Sequence, residues 1–284
     1  MFIVDAQAHV WAPSTPERPW PSNRPIASRP MNKELLLGEM EAAGVDRVVI
    51  VPPSFEGYRN DLALDAAHTH PERFAVMGQL DPKAPDARAR VPGWRREPGM
   101  LGLRFTLNKP LEQQQLSDGS MDWLWRAAEE AKLPIMAYMP HSDLHLLERV
   151  AQRYPALKLA IDHLGLPLGQ KDDAAFAGID KLLALAKHSN VAVKASGLPA
   201  HTSDTYPYRR LHPYLRRVYD AFGPRRFFWG SDLTRLPCSY SQAVTMFSEE
   251  IPWLTNEDKE WIMGRGVCEW TGWPLPQAMP ATKL

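Results

Sequence analysis

Ile3-Val4-Asp5-Ala6-Gln7-Ala8-His9-Val10-Trp11 opens the chain with apolar residues that run straight into polar ones. Side chains alternate faces along a strand with a period of two, so this spacing places Asp5, Gln7 and His9 on one face of an N-terminal strand. Three polar groups on one face are costly to bury unless they satisfy one another or are put to use. Alone, the pattern fits a hydrogen-bonded core trio as well as a functional site. Its meaning depends on whether other strands end the same way.

Outward from this stretch the chain alternates. Short apolar runs begin at Ile3, Val45, Phe74, Met100, Pro134, Leu157, Val191 and Arg226. Helical segments follow most of them: Leu35 to the C-cap signal Gly44, Asp61 to His70, Met121 to Lys132, Leu144 to Tyr154, Asp173 to His188, Tyr208 to Phe222, Ser239 to Glu250 and Asn256 to Cys268. Ala84 to Arg96 reads as a polar, arginine-rich helix or loop. Apolar strands alternating with helices mean a parallel sheet. Eight such units over 284 residues predict an α/β fold, a single, distorted (β/α)8 barrel domain covering 1–284, with its chemistry where the strands end. An open doubly wound sheet is the alternative, but no glycine-rich phosphate turn follows the first strand.

Composition narrows the function. Hydrophobic residues make up 44% and charged residues 23%, as in an ordinary globular protein. Lys plus Arg and Asp plus Glu number 33 each, so a net charge of +0 favours neither nucleic acid nor an anionic membrane as partner. Cys238 and Cys268 have no metal-type spacing and make no disulfide framework. No stretch approaches the roughly 20 apolar residues of a membrane span, and no leader pattern opens the chain, which places it in the cytoplasm as an expectation. The Pro- and Arg-rich loop from Ala12 to Pro30 cannot be helix or central strand and is expected to form an ordered lid over a strand end.

Polar groups gather at the strand ends. Strand one contributes Asp5, Gln7 and His9; strand four Arg104; strand five Tyr138, with His141 just beyond it; strand six Asp162 and His163; strand seven Lys194 and Ser196; strand eight Asp232. Each has a plain alternative. Arg104 and Lys194 could pair with helix carboxylates, Tyr138 could be core with a satisfied hydroxyl, and His141 and His145 could be solvated at a helix start. His9, His163 and Asp232, one ionisable group at each of three strand ends, are harder to attribute to packing alone.

Asp5 to Trp11, Leu157-Lys158-Leu159-Ala160-Ile161-Asp162-His163-Leu164-Gly165 and Phe228-Trp229-Gly230-Ser231-Asp232 together resemble the amidohydrolase superfamily. They are most similar to its amidohydrolase-related (amidohydrolase 2) group, with sugar-acid lactonases and 2-pyrone-4,6-dicarboxylate lactonases. The family's strand-one motif has two histidines separated by one residue; here Gln7 holds the first position and only His9 matches. In metal-using members these histidines, others from strands five and six, and the strand-eight aspartate hold a divalent ion. A neutral amide is a poor zinc ligand, so Gln7 suits the lactonase branch, where some members work without metal. One zinc or manganese held by His9, His163 and Asp232 is the alternative.

The resemblance implies a hydrolase that opens a lactone or related cyclic ester of a small carboxylated substrate. Asp232 is expected to act as general base and acid, with His9 and His163 also catalytic. Arg104 is expected to clamp a carboxylate through paired hydrogen bonds, with Gln7, Tyr138 and Lys194 adding contacts to substrate. The same barrel allows a metal-dependent non-oxidative decarboxylase of an aromatic acid, a C–N hydrolase, or a non-catalytic small-molecule-binding barrel. Homo-oligomerisation is left open.

Overall fold

The computed structural model describes residues 1–20 and 30–276. Eight parallel strands stand side by side in chain order: β1 Val4–Ala8, β2 Arg47–Ile50, β3 Phe74–Gly78, β4 Met100–Thr106, β5 Ile135–Tyr138, β6 Leu159–Ile161, β7 Val191–Ser196 and β8 Phe227–Gly230. Helices lie between consecutive strands, giving the expected (β/α)8 barrel. Among the described residues, no helix is long and apolar enough to cross a membrane.

Strand alternation divides the core into two layers. Val4, Ala6, Val49, Ala75, Met77, Leu101, Met136, Ala160, Ala192 and Phe228 fill the inside of the ring. Val48, Ile50, Phe74, Leu103, Ala137, Leu159, Val193, Phe227 and Trp229 face the helices. Buried on both faces, the strands read as near-continuous apolar runs, which is why their positions are easy to find.

In β1 the expected shared face does not form. Asp5 pairs with Val48 and Ala8 with Ile50, so β1 carries one extra residue between them. This bulge reverses the alternation. Asp5 turns outward with Val48, while Gln7 turns inward toward the barrel axis. The outward Asp5 is fully buried and accepts four hydrogen bonds: from Gln7 N at 2.9 Å, from Ser231 N at 2.8 Å, from Ser231 Oγ, and from Tyr240 Oη at 2.6 Å on the helix Tyr240–Ser248. Burial nonetheless pushes its carboxyl above the usual range.

The seam between β8 and β1 is closed by these groups. Asp232 N donates to Gln7 O at 2.8 Å, and Asp5 holds both polar groups of Ser231 just before it. Gly230 makes the approach feasible: a Cβ there would stand 3.1 Å from Gln7 and from Ser196 Cβ.

Elsewhere the chain departs from expectation in two places. The segment 173–188 is three short pieces, Asp172–Phe176, Ile179–Leu183 and a 3-10 turn at Ala184–Lys187. Gly178 sits at the break, pressed so close to His141 that a Cβ would lie 2.7 Å from that ring's Cβ. A short helix, Pro110–Ser117, also follows β4 where none was expected. Of the proposed lid, Arg18 ties the start to Glu56 at 2.7 Å and to Asp61, and Trp20 Nε1 donates to Ala12 O at 3.0 Å. Residues 21–29 of that loop lie outside the described residues.

Candidate active site

At the C-terminal mouth of the barrel a cavity of about 620 Å³ opens, with His9, Arg104, Tyr138 and His163 in its wall. The strands explain the meeting. Arg104 and Tyr138 are inward positions of β4 and β5, and His9 follows the bulged β1. His163 and Asp232 lie immediately past the ends of β6 and β8, both at positive φ (53° and 52°). A left-handed conformation at a non-glycine residue costs about 1–3 kcal/mol and persists only where its surroundings enforce it.

Asp232, only 3% exposed, is flanked by both imidazoles. Its Oδ1 lies 3.1 Å from His9 Nε2 and its Oδ2 4.0 Å from His163 Nδ1. Oδ1 accepts no well-aligned hydrogen bond from the described residues. Burial alone would raise the Asp232 carboxyl, but His9, His163 and Arg235 outweigh it and hold it well below the usual carboxylate range. His163 goes the other way: burial lowers it to about 4, so the ring is neutral near pH 7. Ser196 Oγ is 2.8 Å from its Nδ1.

His9 Nδ1 lies 2.6 Å from the carbonyl of Val51, which only accepts, so Nδ1 carries a proton.

Beneath the cavity floor runs a charged row. Lys194 is wholly buried; its ammonium donates to Gln7 Oε1 at 2.5 Å and stands 3.0 Å from Asp162 Oδ1. Arg104 Nε donates to Asp162 Oδ2 at 3.1 Å and its Nη1 to Thr106 Oγ1. Burial pushes Asp162 up, yet Lys194 and Arg104 prevail and keep it below the usual range. The ammonium fixes the Gln7 amide, leaving its nitrogen 3.4 Å from His9 Nε2.

The cavity thus collects His9, His163, Arg104 and Tyr138, with Asp232 between the two imidazoles. Gln7 and Lys194 do not reach its wall; their polar atoms are spent on each other, on Asp162 and on His9. Tyr138 is in the wall, but its single proton goes to Leu166 O at 2.9 Å, so toward a ligand it is an acceptor. His141 is buried rather than solvated and donates from Nε2 to Leu164 O at 2.8 Å, pinning the turn after His163. Two residues gain importance. Asp162 joins Arg104 to Lys194, and Ser196 sets the His163 ring. Both stood among the strand-end polar groups, but nothing local shows that they would be pairing hubs.

The family model described as Amidohydrolase matches residues 4–265. The chain belongs to this family. It is a hydrolase of the amidohydrolase superfamily, and the resemblance of the three strand-end motifs is borne out. An L-fucono-1,5-lactonase from Burkholderia ambifaria is 31% identical over 81% of this chain and 80% of its own. A 4-sulfomuconolactone hydrolase from Hydrogenophaga intermedia is 26% identical over 80% of this chain and 73% of its own. The crystal structure of an amidohydrolase from Burkholderia multivorans with bound zinc superposes with a TM-score of 0.81, at 21% identity over 96% of this chain and 100% of that one. At that identity it shows the shared fold alone.

The described side chains do not compose a metal centre of the usual three protein ligands. Among the described residues, no three His, Cys, Asp or Glu side chains are grouped to hold an ion. Gln7 has its one oxygen against an ammonium, and His163 Nδ1 is engaged by Ser196. The lone pairs that converge are those of Asp232 Oδ1 and of His9 Nε2, which the Gln7 nitrogen also faces at 3.4 Å, short of the usual three protein ligands.

Proposed function

We propose that this hydrolase opens the ring of a small carboxylated lactone, with Asp232 as base and then acid. The observation that carries the reading is the placement of Asp232 between His9 and His163, one on each carboxylate oxygen, with both imidazoles and Arg104 in the wall of one cavity. The names of the curated relatives, both hydrolases of lactones, agree with it.

In this account the substrate carboxylate lies on the Nη2 edge of Arg104, which no described side chain takes. Asp232 Oδ1 removes a proton from water as the water oxygen bonds to the lactone carbonyl carbon. His163 is assigned the Nε2–H tautomer, its Nδ1 accepting from Ser196 Oγ at 2.8 Å in preference to donating to Ser196 O at 3.3 Å, so that Nε2–H faces the oxygen on which charge develops. Because the ring is neutral, it donates without giving the proton away. When the ring C–O bond breaks, the proton on Asp232 moves to the departing alkoxide, directly or through His9 Nε2. The product is a hydroxy acid, and its ionisation releases a proton to solvent.

Gln7 and Lys194 have a supporting role here. The ammonium orients the amide, and the amide orients His9. Tyr138 accepts from a substrate hydroxyl. The enzyme is taken to work in the cytoplasm as a single-domain chain. The test is a panel of carboxylated and neutral lactones followed with a pH indicator. Acidification with carboxylated lactones, lost in Asp232→Asn, supports the reading; no acidification with any lactone contradicts it.

A further inference from the structure

About half of the cavity wall is apolar. Among the described residues five large hydrophobic side chains are exposed: Leu35, Tyr58, Leu111, Leu168 and Leu275. Three of them, Tyr58 at 53%, Leu111 at 50% and Leu168 at 49% exposed, line this one cavity. They come from separate segments after β2, β4 and β6, Leu111 from the helix Pro110–Ser117. Single exposed apolar side chains need no explanation; three brought from distant parts of the chain to one rim do. Pro53 and Phe55 stand on the same wall.

The catalytic groups lie at the inner end of this space and the three apolar side chains at the outer end. The volume of about 620 Å³ falls mid-range for a drug-sized ligand. Lys83, Lys109 and Arg235 line the same cavity, with Asn108, Glu112, Gln115 and Thr234; long side chains can lay their stems along apolar surface and keep their charges in water.

We propose that the lactone carries an alkyl or aryl substituent that lies in a collar formed by Tyr58, Leu111 and Leu168. This rests on the lactonase reading and adds a substrate class to it: a carboxylated lactone with an apolar tail. The occupant follows from continuity, because the collar and the reacting groups share one cavity.

The experiment uses a series of carboxylated lactones whose substituent grows from hydrogen through methyl, propyl and pentyl to phenyl. In the wild type, kcat/KM should rise about two- to fourfold per added methylene until the collar is filled, the upper figure being about 0.8 kcal/mol per buried CH₂. In the triple variant Tyr58→Ser, Leu111→Ser, Leu168→Ser the rise per methylene should vanish. A wild-type series that is flat overturns the collar and leaves the lactonase reading standing. If no lactone is turned over, the lactonase reading fails. The collar is then decided by calorimetry with alkyl carboxylates of the same lengths: tighter binding with length, abolished in the variant, supports it, and no dependence on length overturns it. Light scattering closes the remaining route: a variant that changes the particle mass but keeps the wild-type chain-length dependence assigns these side chains to a contact between copies and overturns the proposal.

Discussion

The main-chain N–H of Asp232 donates to the carbonyl of Gln7 at 2.8 Å, so the bond that helps close the barrel also joins the proposed base to the strand that carries His9. Seam and site are one structure. Asp5 reinforces it from outside through Ser231 and Tyr240.

The first expectation concerns that support. Tyr240→Phe removes one of the four hydrogen bonds to a buried carboxyl and should cost about 1–3 kcal/mol in urea unfolding. Because β8 ends at the same place, kcat should fall several-fold while KM changes little. An unchanged unfolding midpoint would show that Asp5 does not depend on the phenol.

Removing the buried cation should be more severe. Lys194→Met leaves Asp162, deep in the ring, with Arg104 as its one ion-pair partner among the described residues. Breaking a buried pair from one side costs about 3–5 kcal/mol. Chemical denaturation measures this directly, and a loss below about 1 kcal/mol would show that the ammonium is dispensable.

Acid should affect the enzyme later than an ordinary histidine would predict. The proposed mechanism needs an ionised Asp232 and a neutral His163. His163 has its pKa lowered from 6.5 to about 4, so it stays neutral as pH falls through 6 and 5 and gains its proton only near 4. Asp232, held lower than the usual carboxylate, stays ionised over that span. The acid limb of kcat/KM should therefore lie near pH 4. A limb near 6.5 would mean that His163 behaves as a solvated imidazole.

Chelation should have no effect. The Gln7 oxygen faces Lys194 and the remaining side chains fall short of a metal set. Dialysis against a chelator should leave lactone turnover unchanged. Activity lost on chelation and restored by zinc or manganese would contradict this.

Much of the fold was legible because the strands are buried on both faces. Runs such as Val45 to Val51 and Val191 to Ala195 are apolar and β-branched, and their order alone predicts a closed parallel barrel. His9, His163 and Asp232 were legible because each ends or follows a strand. The failures have long-range causes. Asp5 was grouped with Gln7 and His9 because a bulge leaves no mark in a five-residue strand; it shows only when Asp5 pairs with Val48 and Ala8 with Ile50. Lys194 was placed against substrate because its residue type does not tell that Gln7 and Asp162 will consume its charge. The break at Gly178 comes from His141, thirty-odd positions earlier, and the collar from segments that meet only in the folded chain.

The central claim is that Asp232 moves the proton, and Asp232→Asn tests it most directly. The amide keeps the size of the side chain and leaves the main-chain bond to Gln7 in place, so the fold should persist by circular dichroism. With a carboxylated lactone that the wild type opens, kcat should fall by about 10²–10⁴, the usual worth of a positioned general base, while KM stays within a few-fold. A variant that is folded and turns over within about threefold of the wild type would contradict the account.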